Sequence, residues 1–194
     1  MVRANLEIRP LTPFWEATDP DTREGFAELA DALGDNCEEV ELPEIFADAL
    51  GWHRTIVAAD VAKSFAGHYE RGRNQISDQL CKMIEEGRTV LAVDYTAALD
   101  WIDVLYAGLE KVFEGCDAIL TPAVRGQAPT IDTTGDPRFC TLWTLTGTPA
   151  VSLPLLTGAD GLPIGVQLIG PRRDDARLFR TARWLVDAVA GNEA

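Results

Sequence analysis

Apolar and polar positions alternate along this chain with two different periods, and each change of period marks an element. In "NLEIRPLTP" the alternation predicts a short strand ended by Pro13. From Asp19 to Gly34 the period lengthens. Phe26, Leu29, Ala30 and Leu33 fall at spacings of three and four and predict an amphipathic helix. Asp19 suits its N-cap, Pro20 its first turn and Gly34 its C-terminal stop. "CEEVELP" predicts a second short strand, so strand, helix and strand follow one another as in a βαβ unit.

Residues from about 43 to 115 read as helical. Glu44 to about Tyr69 predicts one long helix, interrupted near Gly51. "ISDQLCKMIEEG" predicts another, with Ser77 as N-cap, Ile76 and Cys81 as a hydrophobic staple and Gly87 as the stop. In "VDYTAALDWIDVLYAGLEKVFEG" the residues Tyr95, Leu99, Ile102, Leu105, Leu109, Val112 and Phe113 hold helical spacing, with Asp94 as cap and Gly115 as stop.

Residues 116–190 switch back to strands before a last helix. "CDAILTPAV" predicts a strand stopped at Pro122. "PAVSLPLL" and "IGVQLIG" predict two more, joined by the turn "TGADGLP". Ile164, Val166 and Leu168 alternate with Gly165, Gln167 and Ile169, so neither face carries a charge and the strand is expected to be buried on both sides, under helices. "DDARLFRTARWLVDAVAG" closes the chain as an amphipathic helix. Residues 1–194 thus read as a single α/β unit without internal repeat or low-complexity linker.

Composition narrows the possible partners. An apolar content of 46% over 194 residues suits one globular domain with a real core. The formal charge of −14 argues against nucleic acid, because phosphate binding needs clustered Lys and Arg. No apolar run reaches the length of about 18 residues that a membrane span needs. The start "MVRANLEIRP" lacks the apolar core of a signal peptide. Cys37, Cys81, Cys116 and Cys140 show no CxxC spacing, which favours reduced thiols over a disulfide framework or a zinc site, and a cytoplasmic location is expected.

Candidate chemistry is sparse. The chain has three serines. Ser77 reads as a cap, Ser152 lies in a strand, and Ser64 follows Lys63, but adjacent helical residues do not face each other. None sits in a G-x-S-x-G elbow. His53 and His68 lack any metal-binding spacing and read as surface or packing residues. Arg172 and Arg173 in "GPRRDDARLF" precede a helix, a location that suits an anion, but a solvated turn with Asp174 as cap is the preferred reading. Arg71 and Arg73 are expected to pair with Glu70 and Asp78 on the surface.

The order of motifs is more informative than any one of them. "CDAILTPAV", then "FCTLWTLTGTPAVSLPLLTGADGLPIGVQLIGP", then "DDARLFRTARWL" closely resembles the C-terminal end of the amidase-signature family. The matching residues are Leu120, Thr121, Pro122, Gly147, Pro149, Ala150, Ser152 and Pro154, followed by the hairpin residues Asp160 to Pro163, Gly165, Gln167, Leu168 and Gly170. "TPFWEATDPDTREGFAELADAL", "VELPE", "YERGRNQISDQLCKMIEEG" and "DYTAAL" extend the resemblance over most of Leu6 to Ala188. One departure is Thr144, where many members have Asn.

The resemblance implies the C-terminal part of the amidase-signature fold, a mixed β-sheet flanked by helices. It also implies hydrolysis of a carboxylic amide without metal or organic cofactor. In that family a Ser, cis-Ser and Lys triad acts, with the lysine as base and backbone N–H groups on the oxyanion. These 194 residues contain no Gly/Ser-rich signature, and Lys63, Lys82 and Lys111 match no triad position, so no catalytic residue carries over. What carries over is a substrate-binding segment: Thr121, Phe139, Cys140, Trp143 and Thr144, beside Gly147 and Pro149 as backbone-shaping residues.

The resulting expectation is a C-terminal amidase portion, inert alone, that meets a small-molecule amide only when an N-terminal catalytic half completes it. Its uncovered sheet edges would promote self-association. The alternative is a non-catalytic binding or assembly module derived from a degenerate amidase half. A hydrolase with an unrelated nucleophile is a third reading.

Overall fold

The computed structural model describes residues 6–10, by their backbone, and residues 14–192; Pro13, expected to end the first strand, lies outside them. Five strands form one mixed sheet in the order β2-β1-β3-β5-β4: β1 Leu6–Pro10, β2 Cys37–Val40, β3 Ala118–Pro122, β4 Ala150–Thr157 and β5 Pro163–Ile169. β1 runs parallel to both β2 and β3, while β5 is antiparallel to β3 and β4. The expected βαβ unit is therefore present, with α1 (Pro20–Leu33) as the crossover between β1 and β2.

Helices cover both faces because alternate strand residues point to opposite sides. On one side α1 (Phe26, Leu29, Leu33) and α6, Asp175–Asn192 (Leu178, Leu185), pack on Ala118, Leu120, Val166 and Leu168. On the other side Ile119 and Ile169 meet Leu105, Leu109 and Phe113 of α4 (Ala92–Phe113), and Leu142, Trp143 and Leu145 of α5 (Arg138–Thr146). β5 is buried on both faces, as its lack of charge implies. β4 departs from that picture: it is an edge strand, and Ala150, Ser152 and Pro154 are exposed.

The remaining helices are α2 (Ala49–Gly72), which packs on α4 and α5, and α3 (Asp78–Gly87), which packs on α2. Gly51 does not break α2; the irregularity precedes it, as a short 3-10 turn at Glu44–Asp48. Ser77 caps α3 as expected, accepting from the Leu80 N–H at 3.2 Å. Asp94 does not cap α4, whose N-cap position is Leu91; the carboxylate sits in the first turn instead. The apolar face expected along α4 is buried only in its C-terminal half. Leu105 is 1% exposed and Leu99 37% exposed, because the N-terminal turns stand off the sheet. Arg73 pairs with Glu85 at 2.8 Å and Glu70 with Arg88 at 3.9 Å, in place of the neighbours suggested by sequence proximity.

Caps do less than their positions promise at α1. Asp19 occupies the N-cap but its side chain accepts no cap hydrogen bond there; its Oδ1 accepts from Arg125 at 2.6 and 3.0 Å. The same segment is joined to the β4–β5 turn, since Asp21 accepts from the Ala159 N–H at 3.1 Å. The Asp19 bonds hold the loop after β3, and the Asp21 bond the β4–β5 turn, against the start of α1.

Close approach explains one glycine. A Cβ at Gly87 would land on the Ala58 carbonyl of α2, with the Ala62 Cβ 2.8 Å away, so α3 seats against α2 only because this side chain is absent. Gly51, by contrast, has nothing within 4 Å of a Cβ built on it. Gly87→Ala should therefore cost about 1–3 kcal/mol of stability, whereas Gly51→Ala should add about 0.4–1 kcal/mol. Urea unfolding followed by circular dichroism checks both signs, and equal shifts for the two variants would contradict this packing.

Candidate functional site

β3, β5 and β4 are in register at one point: Thr121 pairs with Gln167, and Gln167 with Ser152. Ala118, Leu120, Val166 and Leu168 belong to the α1–α6 side. The two-residue strand period therefore places Thr121, Gln167 and Ser152 together on the α5 side, as a polar row across an otherwise apolar face.

Helix α5 is laid over the β3 and β5 part of this row. Pro137 precedes it, and the Asp136 carboxylate accepts from the Arg138 N–H at 3.1 Å. Gly147 ends it in the left-handed conformation with φ 62°. The hydrophobic pattern does not announce this helix, because Phe139, Leu142, Trp143, Leu145 and Thr146 are all buried and leave no one-sided stripe. Pro just before the start and Gly just past the end are the signal for it.

Gln167 fastens the first turn of α5 to the sheet. It is 6% exposed, and its Nε2 donates to the Phe139 carbonyl at 3.3 Å. The Cys140 thiol donates to the Ala123 carbonyl at 3.2 Å and lies 3.8 Å from Gln167 Oε1. Burial pushes the Cys140 thiol above the ordinary cysteine range. Gln167 was visible in the sequence only as part of a hairpin motif; an amide at a doubly buried strand position is the physical signal of its role.

The sequence-predicted site residues separate into two sets. Thr121, Phe139 and Trp143 are buried, and Trp143 packs in the core with Leu105 and Ile169. Cys140 is half-buried and Thr144 exposed, so these two reach the open side. Ser152 is exposed on β4, and a Cβ at Gly165 would sit 2.7 Å from its Oγ, so the glycine leaves room for that side chain. Two open hollows lie elsewhere on the surface. A cleft of about 640 Å³ opens between α1 and β2, and a groove of about 330 Å³ among α1, β4 and α6. Thr144 and Ser152 thus give the α5 face an exposed side, which is the wall considered below.

Among the described residues no lysine or histidine hydrogen-bonds Ser64, Ser77 or Ser152. His53 lies in a hollow with Val57, Met83 and Glu86, where burial lowers its pKa and favours the neutral ring. Among the described residues no group of His, Cys, Asp or Glu is arranged to hold a metal ion. None of the described helices is long and apolar enough to cross a membrane.

The Amidase family model matches residues 10–179. A glutamyl-tRNA(Gln) amidotransferase subunit from Geobacter metallireducens is 28% identical over 216 residues, covering 93% of this chain and 44% of the relative. The corresponding amidotransferase subunit from Hyphomonas neptunium is 33% identical over 125 residues, covering 55% of this chain and 26% of the relative. A crystal structure of an amidase superposes with a TM-score of 0.85 at 24% identity, covering 96% of this chain and 46% of that one. The chain thus spans less than half the length of the relatives it matches.

Two outcomes follow for the wall itself. Gln167→Leu leaves the Phe139 carbonyl buried without its donor and should cost about 1–3 kcal/mol, read as a lower urea midpoint. Because burial raises its thiol pKa, Cys140 should be alkylated by iodoacetamide more slowly than a small-molecule thiol at pH 8, with the rate rising as pH is raised. The raised pKa contributes stability that is present below the unfolded thiol pKa and lost as pH rises through the folded value. Peptide mapping of the adduct checks the rate, and parity with the small thiol contradicts the assigned burial.

Proposed function

The chain belongs to the amidase family, and we propose from that premise that it forms the C-terminal portion of an amide hydrolase and supplies one wall of its acyl pocket. The observation that carries this reading is the polar row of Thr121, Gln167 and Ser152 on a sheet face that α5 covers only in part. Cys140 and Thr144 would flank the acyl group of the substrate. Thr121, Phe139 and Trp143 would hold those two in place from the core behind them.

The wall's chemistry suits that role. It presents hydroxyl groups and a half-buried thiol, so an amide bound there, once the catalytic half covered the wall, would lie in a low-dielectric setting. Hydrogen bonds to a developing oxyanion are worth more in such a setting than in water. The nucleophile, its bridging serine and the lysine base would come from a Gly/Ser-rich segment outside these 194 residues. The formal charge of −14 gives no support for direct contact with RNA, so a small-molecule amide is the favoured substrate class.

Mixing tests the reading. The chain alone should release no ammonia from amides and take up no fluorophosphonate probe. Combined with the N-terminal catalytic half of a related amidase, it should restore hydrolysis, with the probe on a serine of that half. A probe adduct on Ser64, Ser77 or Ser152 would overturn the proposal. A tight complex without hydrolysis would favour an assembly module.

A further inference from the structure

We infer that Arg172 is the positioning residue of helix α5 and hence of the acyl wall, an assignment whose functional part rests on the reading above. Arg172 lies in the turn between β5 and α6 and touches two helices, α4 and α5. Its Nε donates to the carbonyl of Thr146, the last residue of α5, at 2.6 Å. A terminal guanidinium nitrogen donates to Asp103 of α4 at 3.2 Å, and the guanidinium lies 3.9 Å from the centre of the Tyr106 ring. Its backbone N–H donates to the Tyr106 hydroxyl at 3.0 Å.

The contacts are unequal in weight. Asp103 is 90% exposed, so its ion pair is screened and contributes little. The bond to Thr146 is different. Carbonyls in the last turn of a helix lack intrahelical donors and form the negative end of its dipole. A charged donor there is both a cap and a favourable charge. The planar guanidinium reaches Thr146 while lying over Tyr106, a geometry that the single ammonium of lysine does not reproduce.

Two backbone features agree with this clamp. Gly147, just beyond Thr146, is left-handed with φ 62°, and a Cβ there would lie 3.7 Å from Arg172 Nε. Arg173 itself has φ 64°, an unfavourable conformation for a residue with a side chain, held in the turn that brings Arg172 back to α5. Helix α5 is thus fastened at both ends, by Gln167 at Phe139 and by Arg172 at Thr146, with Thr144 between them.

Hydrogen exchange on the full chain, read by mass spectrometry, tests the clamp without any need for activity. Arg172→Ala should speed exchange of amides 142–147 by roughly tenfold or more, with α6 peptides unchanged. Asp103→Asn should change them by no more than about twofold. Arg172→Lys keeps the charge and should fold, yet should not restore α5 protection, whereas added guanidinium well below unfolding concentrations should restore it to the alanine variant. Unchanged α5 exchange, acceleration spread evenly over the chain, or full rescue by lysine would overturn the assignment. In the completed hydrolase, Arg172→Ala should raise KM more than it lowers kcat. Loosened α5 exchange with an unaltered KM would leave the clamp standing and remove the acyl-wall reading instead.

Discussion

One buried amide decides how the two layers on the α5 side meet. Gln167 sits in β5, between β3 and the edge strand β4, with 6% of its surface exposed, where each polar atom must find a partner. Its Nε2 takes the Phe139 carbonyl, and its Oε1 faces the Cys140 thiol. That choice sets where α5 begins, and so which of its residues fall into the core and which reach the open face. Leu142, Trp143 and Leu145 fall inward; Thr144 faces out.

The sheet supplies the rest of the constraint. β3 and β5 are sandwiched between helices on both sides, which is why their residues carry no charge. β4, at the edge, packs Val151, Leu153 and Leu155 towards α1 and α6 but leaves Ala150, Ser152 and Pro154 uncovered. A partly covered face beside an edge strand is what a C-terminal portion of a larger sheet would show in the proposed account. In the proposed account the acidic surface and the α5 wall would serve different ends: charge would keep the chain solvated, while the uncharged row would be left for a small neutral ligand.

Much of this was legible in the residues, for identifiable reasons. α1 and the Ser77 cap could be read because one-sided periodicity and cap chemistry are local. The family resemblance could be read because Gly147, Pro149 and the "DGLP" hairpin recur in a fixed order. The failures were non-local. Asp19 stands at an N-cap but is claimed by Arg125, far along the chain. The apolar stripe of α4 runs past the sheet it covers, so Leu99 stays exposed. α5 is apolar on more than one side, and neither periodicity nor charge marks it. The candidate site shows the same division: the motif points to the segment around Cys140 and Trp143, whereas the fastening of that segment by Gln167 and Arg172 required the fold.

Whether the α5 face receives the acyl group is tested most directly by photo-crosslinking in the completed hydrolase, with an amide substrate carrying a diazirine on its acyl chain. Peptide mapping should find the label within residues 139–152. Label confined to α1, α6 or the α2–α3 pair would contradict the proposed role of this wall.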